Sequence, residues 1–440
     1  MPLFGRRREP EAAAPAVVVR DPLPAPPAVD PSGLRSMADH RDYLLACVEE
    51  LPPFGMQLLD AVDLSINEDV VAEIDLPGFD NSAMDGYAVH ADDVAGATDD
   101  APVVLPVVGE IAAGQSSPHR LSPGAVMKIM TGAPLPPGSN AIVPYELTDR
   151  GTEDVKIFGS VQLGQHVRRQ GEDVARGSKV ISTGDRLGAR TIGLLAAVGH
   201  DKALVRPRPR VVVVSTGTEL VEPGLTLNPD EQIYDSNSYM LAAAAKAAGA
   251  QVFRVGLVSD DPDDLKRVVS EQLVRADLIH TTGGVSQGDF DVVKEVMPEL
   301  GVTDFAAVAM QPGKPQGFGL IGEDRIPMIM LPGNPVSAFV SFELFVRPVI
   351  RKLMGATPYV KATVGCVAAE PMHSILGKTQ AARGIVTVEY HGARSVRLVG
   401  GHGSHLLGSL ARANALVLLP PDVENVAVGD EVEVLLLGED

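Results

Sequence analysis

The chain has 440 residues, 45% of them hydrophobic and 21% charged, enough for three or four domains at roughly 100 to 200 residues each. Its 57 acidic residues outnumber 37 Lys and Arg, and the resulting formal charge of −20 argues against binding a nucleic-acid backbone, which needs a dense basic surface. Cys47 and Cys366 lie too far apart in sequence for a disulfide framework or a clustered thiolate site, and no apolar run reaches the roughly 18 residues of a membrane span. With no signal-like apolar segment near the start, the expectation is a soluble cytoplasmic protein.

Residues 1–34 join Arg6-Arg7-Arg8 to a Pro/Ala-rich stretch with neither hydrophobic period, which predicts a disordered tail. A short helix is expected over 37–50, stopped by Pro52-Pro53. From 57 to 172 short apolar runs at 103–108, 126–130 and 155–158 are cut by Gly and Pro, the texture of β structure with long loops. A β-like piece at 179–182 and a helix over 189–198 precede Arg206-Pro207-Arg208-Pro209, which reads as a linker.

The pattern then becomes regular. Strands are expected at 211–214, 252–258, 277–280 and 328–331, helices at 238–248, 263–274, 290–299 and 336–353, with an apolar run at 305–310. This alternation predicts right-handed βαβ units and a mostly parallel sheet, hence a doubly wound α/β domain over 208–356. Short segments at 360–367, 384–390, 395–399, 415–419 and 431–437 predict a small all-β domain at the end.

Ligands of an open parallel sheet bind where strand ends lead into helix N-termini. The first strand runs into Ser215-Thr216-Gly217-Thr218-Glu219, hydroxyls and a glycine ahead of a carboxylate. The third runs into Thr282-Gly283-Gly284-Val285-Ser286, followed by Asp289 and Asp291, a phosphate-cradling texture without a Walker lysine. Pro312-Gly313-Lys314-Pro315 presents a cation on a stiff loop, and Leu331-Pro332-Gly333-Asn334-Pro335 enters a helix that carries Ser337. His280, His402 and His405 read as structural. The Asp260 to Asp264 cluster reads as a helix cap, with Asp260 also a functional candidate.

These strings, together with NSAMDGYAV at 81–89, IMTGAPLP at 129–136, GEDV at 171–174, IYDSN at 233–237 and LPGNPVSA at 331–338, resemble the MoeA family of molybdopterin molybdenumtransferases over about 36–440. The family comprises the bacterial counterparts of the E domain of gephyrin. The resemblance implies a linking domain (35–60 and 175–207), a β-rich lever-like domain (61–174), the α/β molybdopterin-binding domain and a C-terminal β-barrel (357–440). It also implies a homodimer whose active site lies at the subunit interface. The activity implied is insertion of molybdate into adenylylated molybdopterin, assisted by Mg²⁺, with release of AMP. Molybdopterin adenylyltransferase and molybdoenzyme targets follow as partners. Two rival readings are adenylyl transfer to molybdopterin and a non-catalytic molybdopterin carrier or scaffold.

Carried over by residue, the resemblance implies a metal-binding acidic set of Asp85, Asp173, Glu219, Asp260 and Asp291, with Lys314 as the main cation toward molybdate. Thr131, Thr216, Gly217, Gly283, Gly284, Ser286, Gly333, Asn334 and Ser337 would hold the pterin phosphate and nucleotide. Arg383 and Ser404 of the terminal domain would lie near molybdate. Gln311 and Ala307 stand where members often carry basic residues, and Lys378 and Ala381 where members often carry Arg and Phe.

Overall fold

The structure is a computed structural model that describes residues 21–115, 120–284 and 292–438. It divides into two compact units: Pro53–Arg206, and Met1–Pro52 together with Pro207–Asp440.

In the Pro53–Arg206 unit a five-stranded sheet runs in the order Ala141–Pro144, Gly86–Val89, Val126–Ile129, Val103–Ile111 and Asp154–Ile157. The inner Gly86–Val89 strand is buried on both faces, and its side chains divide between them with the period of two that a pleated strand imposes. Tyr87 and Val89 join Val126, Val143 and Ile157 on one side, whereas Ala88 joins Ile111, Met127 and Ile142 on the other. Phe54–Gln57 pairs with Lys202–Val205, close in sequence to the helix Ala189–Ala197.

The other unit is built on a six-stranded sheet: β1 (Arg210–Ser215), β2 (Gln251–Arg254), β3 (Leu278–Thr282), β4 (Gly301–Ala307), β5 (Pro315–Ile321) and β6 (Ile326–Leu331), ordered β2-β1-β3-β6-β5-β4. The strands β2, β1, β3 and β6 are parallel. The edge pair β5 and β4 is antiparallel, so the sheet is mixed. Val211 to Val214 of β1 are fully buried, as expected of a strand covered on both faces.

The helices are α1 (Met37–Ala46), α2 (Asn237–Ala247), α3 (Pro262–Leu273), α4 (Val292–Leu300), α5 (Pro335–Ser341) and α6 (Arg347–Leu353). Asp261 caps α3, its Oδ1 accepting the N–H groups of Asp263 and Asp264 at 3.0 Å each. The single helix expected over 336–353 is interrupted by a π-helical turn, Phe342–Val346, between α5 and α6. Pro348 lies just beyond that turn and has no N–H to continue a regular α ladder.

The terminal strands β7 (Val364–Ala368), β8 (Thr379–Val388), β9 (Arg394–Leu398), β10 (Ala415–Leu419) and β11 (Glu431–Leu436) close on themselves in the order β8-β9-β7-β11-β10-β8. This is a five-stranded barrel around Val386, Val396, Val417 and Val434.

Residues 1–20 of the expected tail lie outside the described residues. Residues 21–34 are tied to the α/β unit. The Asp30 carboxylate accepts the N–H groups of Ser32 and Leu34, both at 2.8 Å, and the Tyr43 hydroxyl donates to the Pro24 carbonyl at 3.2 Å. Helix α1 belongs to this same compact unit, and nearby Leu51 donates to the Leu353 carbonyl at 2.9 Å.

Candidate functional site

At the carboxyl ends of β1, β3 and β6 the following loops surround a cleft of about 560 Å³. Thr216, Gly217, Glu219, Asp260, Gly283, Gly284, Gly333 and Asn334 line it together, so the structure gathers eight residues that sequence marked on four separate loops. The loops approach closely. Gly283 has φ +101°, and a Cβ there would lie 2.6 Å from the Thr216 carbonyl oxygen, so only glycine fits.

Two residues that sequence reasoning passed over fasten these loops. Asn237 Nδ2 donates to Thr282 Oγ1 at 2.9 Å and to the Gly333 carbonyl at 2.6 Å, joining α2 to the ends of β3 and β6. Asp235 is buried; its carboxylate accepts Ser238 N–H at 3.0 Å, Ser238 Oγ–H at 2.5 Å and Ser215 Oγ–H at 3.3 Å. Both stand in the IYDSN string, where the Asp-Ser-Asn sequence at a helix start was the available signal. Asp260 Oδ2 accepts the Thr218 N–H at 3.0 Å.

The cleft's charge is one-sided. Its described lining holds the carboxylates Glu219, Asp235 and Asp260 and no Lys or Arg. Thr216 Oγ1 and Asn237 Oδ1 are buried without a hydrogen-bond partner among the described residues. This donor set of carboxylate, hydroxyl and amide oxygens fits a hard divalent cation. Among the described residues no three His, Cys, Asp or Glu side chains gather to hold a metal. Magnesium ordinarily takes only one or two protein carboxylates and completes its shell with water and substrate phosphate, so a lining with Glu219 and Asp260 fits that ion's needs.

The remaining candidates fall elsewhere. Ser286 and Asp291 lie outside the described residues. Ser337 is buried on α5 and does not line the cleft. Lys314 lines a separate depression of about 210 Å³ with Lys294, Phe305, Ala307 and Gln316. In the barrel, buried Arg383 donates to the carbonyls of Gly403 at 3.0 Å, Leu406 at 3.5 Å and Gly401; burial lowers its pKa. The Ser404 carbonyl accepts the Val336 N–H at 3.0 Å, fixing the barrel's 401–406 loop to the start of α5. His405 on that loop lines the cleft.

In the Pro53–Arg206 unit Asp85 and Thr131 meet. Asp85 Oδ1 accepts the Thr131 N–H and the Thr131 hydroxyl, both at 2.7 Å, and these bonds hold its carboxyl below the usual carboxylate range. Asp173 is exposed, its N–H donating to the Leu76 carbonyl at 3.0 Å.

Three family models match the chain: "MoeA N-terminal region (domain I and II)" over 35–199, "Probable molybdopterin binding domain" over 212–352 and "MoeA C-terminal region (domain IV)" over 366–437. The chain is 43% identical over 407 residues to molybdopterin molybdenumtransferase 2 of Mycobacterium tuberculosis H37Rv, covering 91% of this chain and 99% of that protein. It is 39% identical over 425 residues to molybdopterin molybdenumtransferase 1 of the same strain, covering 92% and 100%. Its fold is similar to the solved molybdopterin biosynthesis MoeA protein of Pyrococcus horikoshii OT3, with a TM-score of 0.74, 29% identity and coverage of 92% and 100%. Likeness across nearly the whole length, in sequence and in fold, places the chain in the MoeA family of molybdopterin molybdenumtransferases.

Proposed function

We propose that this chain performs the molybdenum-insertion step of molybdenum cofactor biosynthesis. It takes adenylylated molybdopterin and molybdate, cleaves the phosphoanhydride in the presence of Mg²⁺, releases AMP and leaves molybdenum on the dithiolene. The observation that carries this reading is the strand-end cleft, which offers glycine-lined loops to phosphate yet is lined by carboxylates without Lys or Arg. A pyrophosphate diester entering such a cleft needs a divalent cation to offset carboxylate repulsion.

Glu219 and Asp260 would hold Mg²⁺, which supplies charge neutralisation and polarisation of the phosphate oxygens. The chain's own part is orientation. Gly283, Gly284 and Gly333 leave room for backbone groups to approach the phosphates, while Asn237 and Asp235 keep the loops from spreading. Lys314, beside Lys294 in its own depression, is the cation proposed for molybdate. Asp85 is proposed to act from a second protomer in a cytoplasmic homodimer, with Thr131 keeping its carboxylate ionised and oriented. Molybdopterin adenylyltransferase would supply the substrate, and molybdoenzymes would receive the product.

Purified protein given adenylylated molybdopterin, molybdate and Mg²⁺ is expected to release AMP, measured by chromatography, and chelation by EDTA is expected to abolish release. Asp85→Asn, at an exposed position, should keep its melting temperature while its rate falls by about 100-fold or more. Undiminished turnover in EDTA sinks the metal role, and undiminished turnover by Asp85→Asn sinks the role of that carboxylate. Release of pyrophosphate from ATP and molybdopterin would point to adenylyl transfer instead, and tight pterin binding without AMP release to a carrier.

A further inference from the structure

We propose that His405, carried into the strand-end cleft by the barrel, is a phosphate-binding residue. Its imidazole N–H donates to a non-bridging phosphate oxygen of the bound nucleotide or pterin phosphate.

Every described residue lining the cleft is neutral or acidic except His405. Residues 285–291, Val-Ser-Gln-Gly-Asp-Phe-Asp, contribute no Lys, Arg or His by sequence. From this chain's described lining a phosphate in the cleft therefore meets glycine N–H groups, hydroxyls, carboxylates and a single basic side chain.

Position supports the role as well as chemistry. His405 is exposed, and its ring, which lies beside Gly403 on the Nδ1 side, makes no hydrogen bond to the described residues. Its loop, in contrast, is held firmly. The Arg383 guanidinium binds the carbonyls of Gly401, Gly403 and Leu406 on both sides of it, and Ser404 accepts the Val336 N–H from the first turn of α5. A buried guanidinium bonded to three backbone carbonyls orders this loop at a desolvation cost. The result is an imidazole that lines the cleft together with the β1 and β3 loops. The barrel thereby adds a basic side chain to a cleft whose other described lining residues have none.

This inference rests on the proposed substrate for the identity of the ligand, but its test does not depend on turnover. AMP and molybdopterin, each carrying one phosphate, serve as separate probes and distinguish which phosphate His405 holds. Calorimetry with Mg²⁺ present is expected to give about tenfold weaker binding of one probe by His405→Gln, the loss of one charge-assisted hydrogen bond, and recovery by His405→Lys. In NMR spectra the imidazole signal missing from His405→Gln should shift when that probe is added. A purely structural histidine would show neither rescue by lysine nor a ligand-dependent shift. Equal affinity of wild type and His405→Gln for both probes, or no binding of either by wild type, overturns the proposal. If wild type releases no AMP yet these binding effects appear, the catalytic reading fails and the role of His405 stands.

Discussion

His280 stands in β3 with its ring fully buried and neither nitrogen hydrogen-bonded among the described residues; its neighbour across the packing is the Phe342 ring, 6.0 Å away. Burial alone pushes its pKa down to about 3. His40 is also driven to about 3, first by burial and then by the Arg35 charge, with Asp304 opposing. Both rings are thus neutral in the folded protein at pH 7 and protonate near 6.5 once unfolded. Their contribution is fully present above pH 6.5 and is lost as the pH falls from there toward 3. Each should cost roughly 1.4 kcal/mol per pH unit in that window. Urea midpoints measured between pH 7 and 5 should fall, and His280→Leu should remove about one proton from the slope. An unchanged slope in His280→Leu would show that His280 does not differ in protonation between the folded and unfolded protein. The residue scale also marks where sequence reading stops. Gly283 and Thr216 were legible because hydroxyl and glycine strings follow β-branched runs. The place of His405 in the cleft lining was not, because it depends on a barrel loop meeting a sheet edge nearly 200 residues away from β1, which no local pattern encodes.

Between residue and molecule, the chain just before α1 acts as a strap. Arg35 donates its N–H to the Ala307 carbonyl at 2.8 Å, and its own carbonyl accepts the Ala309 N–H at 2.7 Å. Its guanidinium meets Asp304 at 2.7 and 3.2 Å and lies over the Tyr43 ring. Removing the cation strands a largely buried carboxylate, so Arg35→Met should lose about 3 kcal/mol of stability in denaturant titration, and Arg35→Met with Asp304→Leu should recover part of it. A double variant no more stable than the single one would show that the backbone bonds, and not the ion pair, hold the strap. The same region shows why elements were unevenly legible. The parallel strands β1 and β3 announce themselves by β-branched apolar runs bounded by Gly. Strand β5 was passed over because its sequence, Pro-Gln-Gly-Phe-Gly-Leu-Ile, carries two glycines that lower strand propensity. The structure gives one of them a reason: a Cβ on Gly317 would lie 2.9 Å from the Phe305 ring and 3.0 Å from Met330.

For the whole molecule, charge and site assembly meet in one question. The strand-end cleft carries Glu219 and Asp260, and Asp85 belongs to the other compact unit, beyond the reach of any local sequence argument. If the proposed homodimer shares its sites, each site takes Asp85 from one protomer and Glu219 from its partner. Asp85→Asn and Glu219→Gln should then each be inactive alone but complement when the two chains are co-expressed and the mixed dimers isolated with two different tags. A mixed dimer then holds one doubly altered site and one intact site, so about half of wild-type AMP release per dimer is expected. Sites made within single chains would leave every site of the mixed dimer with one lesion, and activity would stay at the level of the parents. Measured turnover of the mixed dimer therefore separates the two arrangements without reference to any bound metal. Sedimentation of the same sample as a dimer establishes that the absence of activity, if found, reflects where the sites lie and not a failure to assemble.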